Sequence, residues 1–218
     1  MEKELRNSVR AAYLEFEKEP MMHYYRHPII GYASRLRVKK ILNELGRIKG
    51  KTVLDAGCEI GYVSQHIEQK GAKVLAFDVV EPAIKEFKKK IKALKLNIRA
   101  FVAYAQKIPL KNNRVDAIVC TEVIEHMPQL EKVFAEFERV LKPGGLVVIT
   151  FPNEGLRKPF YPFIKLFGIN TEVEEDVTLF EHNLPNILNL LRKHFTVKKR
   201  YKFPWYLPLT HMVVCRKS

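Results

Sequence analysis

Ten residues, VLDAGCEIGY (53–62), gather several groups able to do chemistry. An apolar run ends on Asp55, breaks at Gly57 and Gly61, and carries Cys58 and Glu59 between the two glycines. Glycines at a strand-to-helix turn let bare backbone come close to a ligand. Dinucleotide-binding turns read G-x-G-x-x-G and rest a pyrophosphate on a helix N-terminus. Residues 57–62 read G-C-E-I-G-Y instead, and no Gly-Lys-Ser/Thr ending makes a P-loop. Two carboxylates, Asp55 and Glu59, would repel a pyrophosphate, so a cationic nucleoside without phosphate suits this turn better. A non-glycine residue at position 59 argues against a positive φ there.

A second constellation is EVIEHM, with Glu122, Glu125 and His126 at i, i+3 and i+4. If a helical turn begins there, all three share one face. With His182 of LFEHNLP they would form a set of oxygen and imidazole ligands for Mg²⁺ or Mn²⁺. The simpler reading has no metal, with His126 as general base beside Glu122 and Glu125. The plainest reading has Glu125 and His126 orient a substrate or cap the next helix.

The surrounding pattern supplies the scaffold. TVLDA (52–56), AKVLAFD (72–78), NIRAFVA (97–103), RVDAIVC (114–120) and LVVITF (146–151) read as buried strands, with FTVKKRYKF (195–203) and HMVVCRK (211–217) closing the chain. Helices are expected near Val38–Leu45, over 62–70, along the lysine-rich KEFKKKIKALK, over 129–141 and from Leu184 to Leu191, with Pro143-Gly144-Gly145 stopping the fourth. Alternating strands and helices specify an α/β fold: a Rossmann-like, mostly parallel seven-stranded sheet with helices on both faces and the last strand antiparallel. One domain spans 1–218, with an N-terminal cap segment (1–33) and an inserted lid (152–182).

Composition sets the outer bounds. Lys and Arg number 38 against 24 Asp and Glu, a net charge of +14 that permits contact with nucleic acid or another anionic partner. A lysine-rich solvated helix face explains much of it without a partner. Cys58, Cys120 and Cys215 lie far apart with no CxxC spacing, as in a reducing compartment. No signal peptide or membrane span is expected, which places the protein in the cytoplasm.

Four motifs in order resemble the class I S-adenosylmethionine-dependent methyltransferases, in particular the small-molecule and quinone-biosynthesis branch. VLDAGCEIG is similar to the family's first motif. Asp78 in VLAFDVVEPAI follows it at about the twenty-residue spacing of a ribose-binding acid. AYAQKIPLKNNRVDAIVCTEVIEHM resembles the third and fourth motifs, and LKPGGLVVITFPN the fifth. The resemblance implies S-adenosylmethionine as cofactor. It implies that Asp55, Gly57, Cys58, Glu59 and Gly61 face its methionine part, Asp78 the ribose, and Val79, Ala105 and Gln106 the adenine. It places Thr121 and Glu122 near the sulfonium. Two departures stand out: Glu59 replaces the family's middle glycine, and Tyr104 stands where an acid often meets the adenine amino group.

Three readings follow from the sequence: methyl transfer to a small-molecule acceptor; methylation of RNA at a ribose 2′-hydroxyl, with or without a metal; and a non-catalytic cofactor-binding or scaffold protein. Tyr24, Tyr25, Tyr32, Phe160, Tyr161, Phe163, Trp205 and Tyr206 are the expected aromatic enclosure of a small acceptor. The oligomeric state has no signature in the sequence.

Overall fold

In the computed structural model, residues 2–18, 28–157, 183–204 and 209–218 are described. Two helices come first, α1 (Glu2–Lys18) and α2 (Pro28–Leu45). The sheet then builds as β1 (Thr52–Ala56), α3 (Tyr62–Glu68), β2 (Lys73–Asp78), α4 (Glu81–Leu94), β3 (Ile98–Val102) and β4 (Val115–Thr121). A single 3₁₀ turn (Ile124–His126) leads to α5 (Leu130–Val140), β5 (Leu141–Pro152) and the short α6 (Glu154–Arg157). After the undescribed stretch, α7 (Leu184–His194), β6 (Thr196–Phe203) and β7 (Thr210–Arg216) complete the chain.

The strands form one sheet in the order β3-β2-β1-β4-β5-β7-β6. Neighbours from β3 through β5 pair in parallel, and β7 runs antiparallel to both β5 and β6. This is the expected seven-stranded, mostly parallel sheet. Strands buried on both faces read as continuous apolar runs, and every residue of β1 is buried. Alternate side chains enter two cores. Leu54, Ile118 and Ile149 meet Phe134 and Phe137 of α5 and Leu191 of α7, while Val53, Val119 and Val148 meet Ile41 of α2, Ile67 of α3 and Phe87 of α4. Helices thus cover both faces. The strand order reverses between β1 and β4, so the groove for a ligand lies beyond their carboxyl ends.

Two expectations need correction, and a third falls outside the described residues. First, α2 begins at Pro28, inside the segment expected as a cap; proline suits a first helical turn because its missing N–H would have no partner there. Second, Pro143-Gly144-Gly145 does not stop α5. The helix ends at Val140, where Leu141 turns extended (φ −79°, ψ 135°) with its side chain in the core. Lys217 Nζ donates to the carbonyls of Glu138 (2.6 Å) and Leu141 (2.8 Å), satisfying orphan acceptors at the helix end. Leu141 pairs at once with Val115, and the proline and glycines fall within β5, at a shift in register between Val115 and Ala117. Third, residues 158–182, most of the expected lid, lie outside the described residues, as do Tyr24, Tyr25, Phe160, Tyr161, Phe163, His182, Trp205 and Tyr206.

Candidate functional site

The carboxyl ends of β1 and β2 carry the glycine turn. Gly57 and Gly61 hold φ values of +76° and +81°, a region open mainly to glycine. Crowding adds a second requirement. A Cβ on Gly61 would lie 1.9 Å from Phe87 Cζ, and one on Gly57 would lie 2.5 Å from Val123 Cγ2. The glycines therefore let two protein side chains pack against the turn, a reason separate from the ligand approach expected from the sequence. Glu59 corrects the expectation of a negative φ: it sits at φ +47°. The left-handed region costs a non-glycine residue about 1–2 kcal/mol. Its backbone N–H offsets part of that by donating to Asp78 Oδ2 at 2.8 Å.

Asp78 is the hub of this region. Its Oδ1 accepts from Val80 N at 3.0 Å while Oδ2 takes Glu59 N, so the acid ends β2 and fixes the turn after β1. Burial pushes its pKa up, and the backbone N–H groups of Val80, Glu59 and Val79 oppose that shift. As residues, Asp78 and Val79 beside it stay partly exposed. Asp55 is enclosed, 1% exposed, and accepts from Ser64 Oγ at 2.5 Å. Burial raises its pKa to about 6 against an ordinary 3.8; the Ser64 hydrogen bond opposes this and the Asp78 charge adds to it. Asp55 thereby ties β1 to α3 across the turn. Burial likewise drives the Cys58 thiol well up, so Cys58 presents no reactive thiolate. The Glu59 carboxylate acts on Lys90 of α4, raising a pKa that burial lowers.

Ala105 is buried, and Gln106 spends its amide N–H₂ on the Pro128 carbonyl at 2.8 Å. That bond holds the loop after β3 against the loop before α5. Tyr104 is 44% exposed.

The EVIEHM segment departs from its expected geometry. Glu122 precedes the 3₁₀ turn at φ +53°, so Glu122, Glu125 and His126 do not share one helical face. The Glu122 N–H donates to Thr150 O at 2.9 Å, and its Oε2 lies 3.3 Å from Arg37 Nη1 of α2. Glu125 is buried, with Oε1 3.9 Å from His126 Nε2. Among the described residues no three His, Cys, Asp or Glu side chains gather as a metal would need.

Four residues of this rim escaped the sequence reading: Arg37, Ser64, Thr150 and His211. Arg37 is one basic residue among several in RLRVKK, and only the packing of α2 singles it out. Arg37 Nε, Thr121 Oγ1 and Thr150 Oγ1 are buried and make no hydrogen bond among the described residues. Thr121 and Thr150 are register partners on β4 and β5. Helix α1 crosses the rim above them: Ser8 Oγ donates to the His126 carbonyl, and the Tyr13 hydroxyl accepts from Glu81 N at 3.2 Å.

A glycine turn after β1, an acid ending β2 and an acidic-histidine turn after β4, on a sheet of this order, make up the arrangement implied by the resemblance to class I S-adenosylmethionine-dependent methyltransferases. The family model described as "Methyltransferase domain" matches residues 54–149. Among curated relatives, the chain is 35% identical over 112 residues to a malonyl-[acyl-carrier protein] O-methyltransferase of Hamiltonella defensa, covering 51% of this chain and 42% of that protein. It is 29% identical over 150 residues to a ubiquinone biosynthesis O-methyltransferase of Coxiella burnetii, covering 67% of this chain and 64% of the relative. The chain spans about half the length of the curated relatives it matches. A solved SAM-dependent methyltransferase from Aquifex aeolicus shares the fold with a TM-score of 0.67 at 23% identity, over 85% of this chain and 93% of that one. No helix of the described residues is long and apolar enough to cross a membrane.

Proposed function

We propose that the protein binds S-adenosylmethionine at the β1–β2 rim and transfers its methyl group to an oxygen of a small-molecule acceptor lying over β4, β5 and β7. The observation that carries this reading is Asp78: the carboxylate of a partly exposed residue, held by two backbone N–H groups that also shape the glycine turn, next to a second acid with a raised pKa. Such a carboxylate accepts ribose hydroxyls, with Val79 and Ala105 against the adenine. The methionine end of the cofactor carries both a carboxylate and an ammonium. Arg37, with Nε unpaired, suits the first, and the carboxylates of Glu59 and Glu122 suit the ammonium and sulfonium. The sulfonium is already activated, so placement of the acceptor supplies most of the rate. Thr121, Glu122, Glu125 and His126 frame the acceptor side. The relatives' printed names, both O-methyltransferases, favour oxygen as the nucleophile.

Calorimetry tests the reading. S-adenosylmethionine and S-adenosylhomocysteine should both bind, and Asp78→Ala should weaken both by about 1–3 kcal/mol through lost charge-assisted hydrogen bonds. No binding at millimolar ligand would reject methyl transfer and favour a scaffold role. With labelled cofactor, counts are expected in a metabolite extract. Counts confined to RNA would move the reading to an RNA methyltransferase.

A further inference from the structure

Four residues line up in a row across the half of the sheet that the cofactor does not need. Phe151 of β5 is the register partner of His211 of β7, and His211 is in turn the register partner of Lys202 of β6. Glu122 continues the row beyond β4, held by its N–H on Thr150 O. The row runs carboxylate, phenyl, imidazole, ammonium along one rim of the sheet, formed by the carboxyl ends of β4, β5 and β6 and the amino end of β7; on the proposed reading the acceptor approaches the methyl group there. His211 is 8% exposed, and its ring lies 5.2 Å from that of Phe151, tilted by 39°. An imidazole so enclosed, on a strand of the sheet and beside an aromatic ring, has a fixed direction.

We propose that His211 is the general base of the transfer, taking the acceptor hydroxyl proton as the methyl group moves to oxygen. The inference rests on the methyltransferase reading and goes beyond it by assigning the proton. In the step, the acceptor O–H bond breaks and its proton forms a bond to an imidazole nitrogen. The oxygen lone pair forms the O–CH₃ bond. The S–CH₃ bond breaks with its electron pair left on sulfur, giving neutral S-adenosylhomocysteine and an imidazolium that then loses its proton to water.

The charges around the ring fit that task from both sides. Burial lowers the His211 pKa, and the Lys202 ammonium lowers it further, both favouring the neutral ring. Glu122 acts in the other direction, raising it. A carboxylate on that side stabilises the imidazolium once the proton arrives. The His126 Nε2 sits 3.9 Å from the Glu125 carboxylate, and its carbonyl is tied to Ser8 of α1. In this assignment His126 and Glu125 shape the acceptor end, and His211 moves the proton.

Two measurements decide the matter. In the S-adenosylhomocysteine complex, ¹⁵N NMR should show the His211 imidazole, assigned by its loss in His211→Gln, titrating below the ordinary histidine range. An imidazolium at pH 7 in that complex overturns the proposal. The second measurement is the initial rate of label transfer from S-adenosylmethionine to a metabolite extract. His211→Gln should slow transfer about 100-fold at pH 7, the size of a general-base contribution, while S-adenosylhomocysteine affinity and melting temperature hold. The deficit should shrink as rising pH ionises the acceptor without help, and free imidazole should restore part of the rate to His211→Ala. A rate within about threefold of the native one, with the same pH profile, overturns the base while leaving methyl transfer standing. Native protein that binds S-adenosylhomocysteine yet transfers no label overturns both.

Discussion

The two halves of the rim differ in how their polar groups are used. Over β1 and β2 they are spent on one another: Asp78 on Glu59 and Val80, Asp55 on Ser64, and the N–H groups of Gly57 and Cys58 both on the Phe77 carbonyl at 2.9 and 3.0 Å. Over β4 and β5, Thr121 Oγ1, Thr150 Oγ1 and the neighbouring Arg37 Nε are buried without a hydrogen bond among the described residues. A buried polar group without a partner costs about 1–3 kcal/mol. One half is thus organised before any ligand arrives, and the other keeps an unmet demand that a ligand or ordered water would satisfy. On the proposed reading, the cofactor would meet the first arrangement and the acceptor the second.

The largest expected effect comes from breaking the organised half. Gly61→Ala forces a left-handed alanine whose Cβ would sit 1.9 Å from the Phe87 ring. The combined cost should be roughly 2–5 kcal/mol, seen as a lower urea midpoint and lost cofactor binding. Phe87→Ala in that background should cost less than it does alone, so that the two losses are less than additive, since the two sites touch. Additive losses would mean that the steric contact is not the cause.

Next in size is the pH dependence of Asp55. Its pKa is raised to about 6 in the folded protein from 3.8, so folding favours the protonated acid. Its contribution to stability is full below about pH 4 and is lost as pH rises to about 6, on the order of 2–3 kcal/mol for the ligand-free protein. Denaturant melts at pH 4.5 and 7 should reveal the fall, and Asp55→Asn should flatten it. An unchanged slope in that variant would assign the titration elsewhere.

How much of this was readable beforehand follows the same division. The strands and their mostly parallel pairing were legible because buried parallel strands are continuous apolar runs, and the glycine turn because Gly57 and Gly61 mark two of its positive-φ positions. Glu59 was misjudged because a backbone hydrogen bond to Asp78, invisible in the sequence, offsets its strain. The shared face expected of Glu122, Glu125 and His126 failed because spacing presumes a helix, and here the chain enters its 3₁₀ turn only after Glu122. Arg37, Thr150 and His211 went unnoticed for one reason. Each reaches the rim through pairings between distant elements, and nothing in its local sequence marks it.

A smaller change sharpens the less organised half. Thr150→Val removes a buried hydroxyl that has no partner among the described residues, while keeping the shape. The ligand-free protein should gain up to about 1 kcal/mol in melting experiments, while transfer of labelled methyl should slow. Lower stability would show that the hydroxyl is already satisfied, by water, before the acceptor binds.

The smallest effect is expected at Glu59. Its carboxylate acts on Lys90, and in a partly exposed site a charge is worth about 1 kcal/mol or less toward the sulfonium. Glu59→Gln should weaken S-adenosylmethionine only slightly more than S-adenosylhomocysteine. A tenfold difference would put the carboxylate against the sulfonium and reopen the left-handed turn as a charge-placing device.

Strand β6 sits at the outer edge of the sheet and reads TVKKRYKF, with Lys198, Lys199, Arg200 and Lys202 exposed. An edge strand offers unpaired N–H and C=O groups to any other strand that passes, and lysines are a common guard because docking a second edge would bury or crowd their charges. Part of the +14 net charge thus has a use inside a single molecule. It keeps one sheet from growing into the next, and it needs neither nucleic acid nor any other anionic partner to account for it.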